Sequence, residues 1–232
     1  MKTTYTDPNV FANEFTYKFY LSLSTEYLSE EKGIDYCKLA AEHNSIDVIE
    51  SIYQKYGESC LTDTIYENAA KKGHLDILKW LYDHNCPQSE YICKYAAWYG
   101  QFEILKWLHK YKFPITDLVS ATAARQGHYE ILRWLHEKGH PINYRAFAHV
   151  AANGDMNMIQ WLHSIGCVWN EWACTFAAKE NRLDILKYLH ENGCPWNAET
   201  YRRANEKGHV DILEYLNDNG CPSNEIENFY IN

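Results

Sequence analysis

The sequence predicts an all-α solenoid of helix-turn-helix repeats, and three observations carry that prediction. The string Gly73-His-Leu-Asp-Ile-Leu-Lys-Trp-Leu81 recurs from Gly100, Gly127, Gly154, Asn181 and Gly208, each start 27 residues after the last. Within a unit the apolar residues keep helical spacing, as Ile77, Leu78, Trp80 and Leu81 do at i, i+1, i+3 and i+4. Glycine or asparagine punctuates each unit at a fixed offset, where a helix ends in left-handed backbone. Self-similarity at a fixed period is the mark of a stacked array, in which one unit cannot bury its apolar face alone.

Taken in order, residues 1–33 read as an N-terminal helical cap, with Phe11, Phe15, Phe19 and Leu23 at four-residue spacing. Residues 34–61 read as a degenerate first repeat. There Ala40-Ala41-Glu-His-Asn44 matches the Ala-Ala-x-x-Gly signature, and Asp47-Val48-Ile49 matches Asp76-Ile77-Leu78 with a slip of about two residues. Six full repeats fill 62–223, and residues 224–232 read as a C-terminal cap or tail.

Each full repeat opens at Thr62, Ser89, Thr116, Asn143, Asn170 or Asn197, all side chains that accept from the orphan N–H groups of a first helical turn. Small columns follow, Ala69, Ala96, Ala123, Val150, Ala177 and Ala204 beside Ala70, Ala97, Ala124, Ala151 and Ala178, so the first helices can approach closely. The Gly73 column, with Asn181 as its exception, ends the first helix. The second helix stops in the last four repeats at Gly139, Gly166, Gly193 and Gly220, often with proline beyond (Pro141, Pro195, Pro222). Trp80, Trp107, Trp134, Trp161, Tyr188 and Tyr215 share one column and are expected to stack on each other as an aromatic ladder between repeats.

Composition narrows the function. A hydrophobic content of 46% with 11 Gly and 6 Pro supports a packed core. A net charge of −9 argues against a phosphate-backbone ligand, so no nucleic acid is expected. No apolar run reaches the ~18 residues of a membrane span, which predicts no membrane partner and a soluble, cytoplasmic protein.

Motifs for chemistry are sparse. His136-Glu137-Lys138-Gly139-His140 matches the zinc-hydrolase motif, which needs both histidines on one helical face with glutamate as base. Gly139 falls in the helix-ending column, so His140 belongs beyond the helix. The column His109, His136, His163, His190 reads as packing, because stacked helices ~8–10 Å apart cannot share one zinc. The same spacing makes Cys86, Cys167, Cys194 and Cys221 reduced, buried thiols. Lys79, Lys106, Arg133 and Lys187 follow Asp76, Glu103, Glu130 and Asp184 by three residues, which predicts helix-surface ion pairs. No catalytic residue, metal ligand or cofactor is assigned.

Residues 69–81, Ala-Ala-Lys-Lys-Gly-His-Leu-Asp-Ile-Leu-Lys-Trp-Leu, resemble the core of ankyrin repeats. The run Gly193-Cys-Pro-Trp-Asn197 narrows the resemblance to the ankyrin-like repeats of giant viruses that infect amoebae. The period here is shorter than the ~33 residues usual in ankyrin repeats. The missing residues are those of the projecting β-hairpin, so short loops are expected instead. The resemblance implies that first helices line a concave surface that binds a protein, for this viral type a host protein in host cytoplasm, sometimes through an F-box that residues 1–33 do not resemble.

Columns at i, i+3, i+4 and i+7 of the first helices are the ones that vary. The partner-binding candidates on them are Tyr91, Lys94, Tyr95, Trp98, Arg125, Arg145, His149, Trp172, Phe176, Lys179 and Arg202. The expected protein is thus a monomeric, non-catalytic interaction scaffold. The alternatives, a zinc hydrolase using His136, Glu137 and His140 or a helical-repeat nucleic-acid binder, rest on one motif and on architecture alone.

Overall fold

A computed structural model describes residues 29–223. The expected cap helix around Phe11, Phe15, Phe19 and Leu23 and the tail at 224–232 lie outside the described residues. Helices run in pairs: α1 (Glu30–Glu42) with α2 (Ile46–Tyr56), α3 (Asp63–Lys72) with α4 (Leu75–Asp83), and α5 (Ile92–Trp98) with α6 (Phe102–Lys110). Then come α7 (Asp117–Gln126) with α8 (Tyr129–Glu137), α9 (Tyr144–Asn153) with α10 (Met156–Ser164), α11 (Glu171–Lys179) with α12 (Leu183–Glu191), and α13 (Ala198–Lys207) with α14 (Val210–Asp218). No strand occurs among the described residues. The chain divides at Pro114/Ile115 into two units, each a stack of helix pairs.

The columns explain the pairs. Left-handed backbone falls at Gly73, Gly100, Gly127, Gly154 and Gly208, and at Asn181 (φ 57°). Helix-ending glycines recur at Gly139, Gly166, Gly193 and Gly220, with Lys112 and Asn85 taking the same conformation one and two repeats earlier. In the first pair Asn44 (φ 56°) makes the turn, and α2 runs 11 residues where the other second helices run nine, which absorbs the two-residue slip. Capping splits by residue type: Asn143, Asn170 and Asn197 accept from N–H groups of their own first turns, whereas Thr62 and Thr116 make no such bond. Ser89 accepts from Tyr91 N–H at 3.2 Å, but α5 begins later than expected, at Ile92, with Tyr91 before it.

First helices pack on first helices, α1 on α3 and α3 on α5 in the first unit, α7 on α9, α9 on α11 and α11 on α13 in the second. The two small columns permit this approach and are fully buried from Ala69 and Ala70 to Ala177 and Ala178. Burying such apolar surface supplies the main stabilisation of a stack of this kind.

Polar clamps then set the register. Side chains one residue past the first-helix turn reach a carbonyl of the preceding repeat: His74 Nε2 at Glu42 (3.1 Å), Gln101 Nε2 at Lys71 (3.3 Å), Arg182 Nε at Ala152 (3.1 Å) and His209 Nε2 at Lys179 (3.0 Å). Asp155 occupies that column as a carboxylate, which cannot donate. It caps α10 by accepting from Met158 N–H at 2.9 Å, and Asn153 Nδ2 donates instead to the Ala124 carbonyl at 2.8 Å.

All eight cysteines are free thiols, Cys167 half-buried and the rest buried. Cys86, Cys194 and Cys221 each donate to the carbonyl of their own repeat's opening residue, Thr62, Asn170 and Asn197, at 3.4–3.5 Å. Burial pushes the Cys86 thiol up to about 12 and Cys167 and Cys221 to about 11.

The aromatic ladder exists with different partners from those expected. Its rings meet the neighbouring histidine or tyrosine column of the preceding repeat rather than each other: Tyr53 with Trp80, Tyr82 with Trp107, His136 with Trp161, His163 with Tyr188 and His190 with Tyr215. Where tyrosine replaces tryptophan the contact is also a hydrogen bond, His163 Nδ1 to Tyr188 OH at 2.8 Å and His190 Nδ1 to Tyr215 OH at 2.9 Å. The expected ion pairs form at Asp76–Lys79 and Glu103–Lys106. Arg133 and Lys187 do otherwise, lying over the rings of Trp161 (4.9 Å) and Tyr215 (5.5 Å) in the next repeat.

Candidate functional site

The residues singled out on the first helices fall into three settings. In the first unit, Tyr91 precedes α5 and is 44% exposed, while Lys94, Tyr95 and Trp98 on α5 are half-buried. This face is paired within itself. Lys71 Nζ sits 4.2 Å from the Tyr95 ring centroid and 3.6 Å from Glu67, whose carboxylate also accepts from Ser89 Oγ at 2.8 Å. Lys94 lies 5.7 and 5.9 Å from the Tyr91 and Tyr95 rings, and a hydrogen bond to Glu90 pushes the Tyr91 phenol above its ordinary value.

On α13 of the second unit, Arg202 is exposed but bound by carboxylates of its own helix, Glu199 at 2.5 Å and Glu206 one turn on, with Arg203 bridging the same two. It belongs to a closed network.

The third setting is open. Arg125 at the end of α7, Arg145 and His149 on α9, and Trp172, Phe176 and Lys179 on α11 come together along three successive first helices of the second unit. They border two adjoining cavities. A groove of about 810 Å³ is bounded by Arg125, His149, Phe176, Lys179 and Arg182. A slot of about 320 Å³ is bounded by Tyr144, Arg145, Ala148, His149, Trp172 and Phe176. His149 and Phe176 form the wall common to both, their rings 5.5 Å apart, and Trp172 meets Phe176 edge-on at 5.7 Å. Trp172 is 41% exposed, a large apolar surface held in place by its neighbour.

Electrostatics differ between the cavities' parts. Desolvation, and then the Arg125 guanidinium, push His149 below the ordinary histidine value, so a neutral ring is favoured there. Lys179 is bound to Glu180 at 2.8 Å. Arg182 was not among the sequence candidates; its Nε is anchored to the Ala152 carbonyl and its side chain crosses Gly154. Arginine in a column otherwise of His, Gln and Asp was the signal that could have found it.

The i+3 column corrects the expectation that four columns of the first helix are free. Ala121, Ala148 and Thr175 are buried between first helices, as is Thr122, and Thr175 Oγ1 lies 3.0 Å from Thr200 Oγ1. The zinc-hydrolase geometry does not form: α8 ends at Glu137, Gly139 turns left-handed at φ 74°, and His140 lies past the helix rather than on a face shared with His136. His136 packs against the Trp161 ring. Among the described residues no three His, Cys, Asp or Glu side chains are grouped to hold a metal ion. No helix among them is long and apolar enough to cross a membrane.

Residues 66–109 and 121–163 match the family model described as ankyrin repeats (many copies). This supports ankyrin-type repeats across α3–α6 and α7–α10. Among solved structures, the chain is similar to the human ASB11 ankyrin repeat domain, at 16% identity over 80% of this chain and 84% of that one, with a TM-score of 0.41. No curated protein matches.

Proposed function

We propose that this protein is a non-catalytic, monomeric scaffold that binds another protein through its first-helix face. Ankyrin repeats generally mediate protein–protein interaction, and the observation that carries the reading here is the exposed Trp172 beside two adjoining cavities. Tryptophan and arginine are the side chains most often found at interface hot spots, and the slot border combines both. The candidates that bear on this role are Arg125, Arg145, His149, Trp172, Phe176 and Lys179 in the second unit, with Tyr91, Lys94, Tyr95 and Trp98 in the first. The resemblance of Gly193-Cys-Pro-Trp-Asn197 to viral repeats makes a host cytoplasmic protein the partner we propose.

Affinity capture from amoebal cytosol with mass spectrometry tests the reading. Two variants, Tyr91/Tyr95/Trp98→Ala and Arg145/Trp172/Phe176→Ala, are compared with wild type after circular dichroism has shown them folded. A protein held by wild type and lost by either variant is the expected result. A protein held equally by all three contradicts the proposed face.

A further inference from the structure

We infer that the groove and slot of the second unit form one binding site for an acidic peptide segment carrying a large apolar side chain. This rests on the interaction-scaffold reading and specifies the chemistry of its ligand. The chain carries −9 overall, yet four cations, Arg125, Arg145, Lys179 and Arg182, border the two cavities against one carboxylate, Glu180. The site is thus a positive island on an acidic protein, and an acidic segment is attracted to it and repelled elsewhere.

The kind of cation matters. Three of the four are arginines, whose planar guanidinium offers forked N–H donors matched to a carboxylate. Arg182 is held by its Nε bond to Ala152, so its terminal N–H groups are presented with little freedom to lose on binding. The slot supplies the apolar half. It lies at the small end of ligand-sized cavities, fit for one aromatic or branched side chain, and its walls are Trp172, Phe176 and Tyr144. His149 lines both cavities and is held towards its neutral form, so it adds an uncharged ring to the slot. A segment that places its ring in the slot therefore brings flanking carboxylates to Arg145 on one side and to Arg125 and Arg182 on the other.

The test is selection of displayed random peptides on the full chain, followed by anisotropy with a fluorescent probe peptide holding one phenylalanine among glutamates. The site predicts enrichment of acidic peptides with an aromatic or leucine centre. It also predicts probe binding that weakens roughly tenfold or more in Arg125→Glu/Arg145→Glu and in Trp172→Ala, and as salt rises. Lys79→Ala, which removes a cation on the second helix α4, leaves probe binding unchanged. Enrichment of basic or uncharged peptides, or binding indifferent to those variants, overturns the inference and leaves the scaffold reading standing. No enrichment of any peptide overturns the inference and counts against the scaffold reading as well.

Discussion

In residues 29–114 the contacts that the aromatic columns of the second helices make between repeats are rings against rings. Phe113, standing where other repeats have a cysteine, meets Tyr66, Tyr82 and Trp107, and Tyr111 closes on Tyr82 and Trp107 at 4.8 Å. In residues 115–223 the same columns carry polar chemistry. His163 and His190 bond the hydroxyls of Tyr188 and Tyr215, and their rings lie against Trp169 and Trp196. Cations lie over Trp161 and Tyr215. The repeat therefore dictates where a contact is made, and the residues at that place decide what kind it is. The first-helix faces differ likewise: around α5 the cations lie against rings and Glu67, and around α9 and α11 cations, Lys179 among them paired with Glu180, border two adjoining cavities.

The largest expected effect separates the two ladders. Trp107 is 9% exposed within its ring cluster, so Trp107→Ala should cost about 3–5 kcal/mol, whereas half-buried Trp161 should lose clearly less. Urea-denaturation midpoints measure both, and equal losses would break the comparison.

A smaller effect contrasts two tyrosines. Tyr188→Phe removes a hydroxyl bonded to His163 and should cost about 1 kcal/mol. Tyr66→Phe removes a buried hydroxyl that has no partner, so stability should hold or rise by up to about 1 kcal/mol. A loss at Tyr66 equal to that at Tyr188 would mean that its hydroxyl is satisfied.

Smaller again is a pH effect confined to the second unit's open face. His149 has a folded value below its unfolded one, so the unfolded chain takes up the proton first. Its contribution to stability is therefore lost as pH falls below about 6.5, down to the folded value. The gap in denaturation midpoint between pH 7.5 and pH 5 should narrow in His149→Gln, and an unchanged gap would remove His149 from the account. The smallest effect is Asn181→Gly, neutral or slightly stabilising at φ 57°. Clear destabilisation there would mean that the asparagine side chain itself is needed.

Most of the scaffold was legible because each structural demand is stated six times. A turn that needs left-handed backbone shows as a glycine column, and the lone Asn181 strengthens rather than weakens the reading. What was not legible depends on distance in space. The Trp column was expected to stack on itself, yet the offset between repeats brings five of its six rings, Trp80, Trp107, Trp161, Tyr188 and Tyr215, to the histidine or tyrosine of the preceding repeat. The switch from tryptophan to Tyr188 and Tyr215 was visible as letters, and its meaning, a hydroxyl for His163 and His190, needed the geometry. Ala121 and Ala148 sat in a varying column, but their small size was itself the sign of burial between first helices. The open site escaped in part because Arg182 comes from the turn into α12, and only packing brings it beside Arg125 and Lys179.

Hydrogen–deuterium exchange of the full chain, with and without the captured partner, tests the central claim most directly. Binding through the first-helix face predicts slowed exchange in α7, α9 and α11, with α8, α10 and α12 unchanged. Slowing confined to the second helices would contradict it.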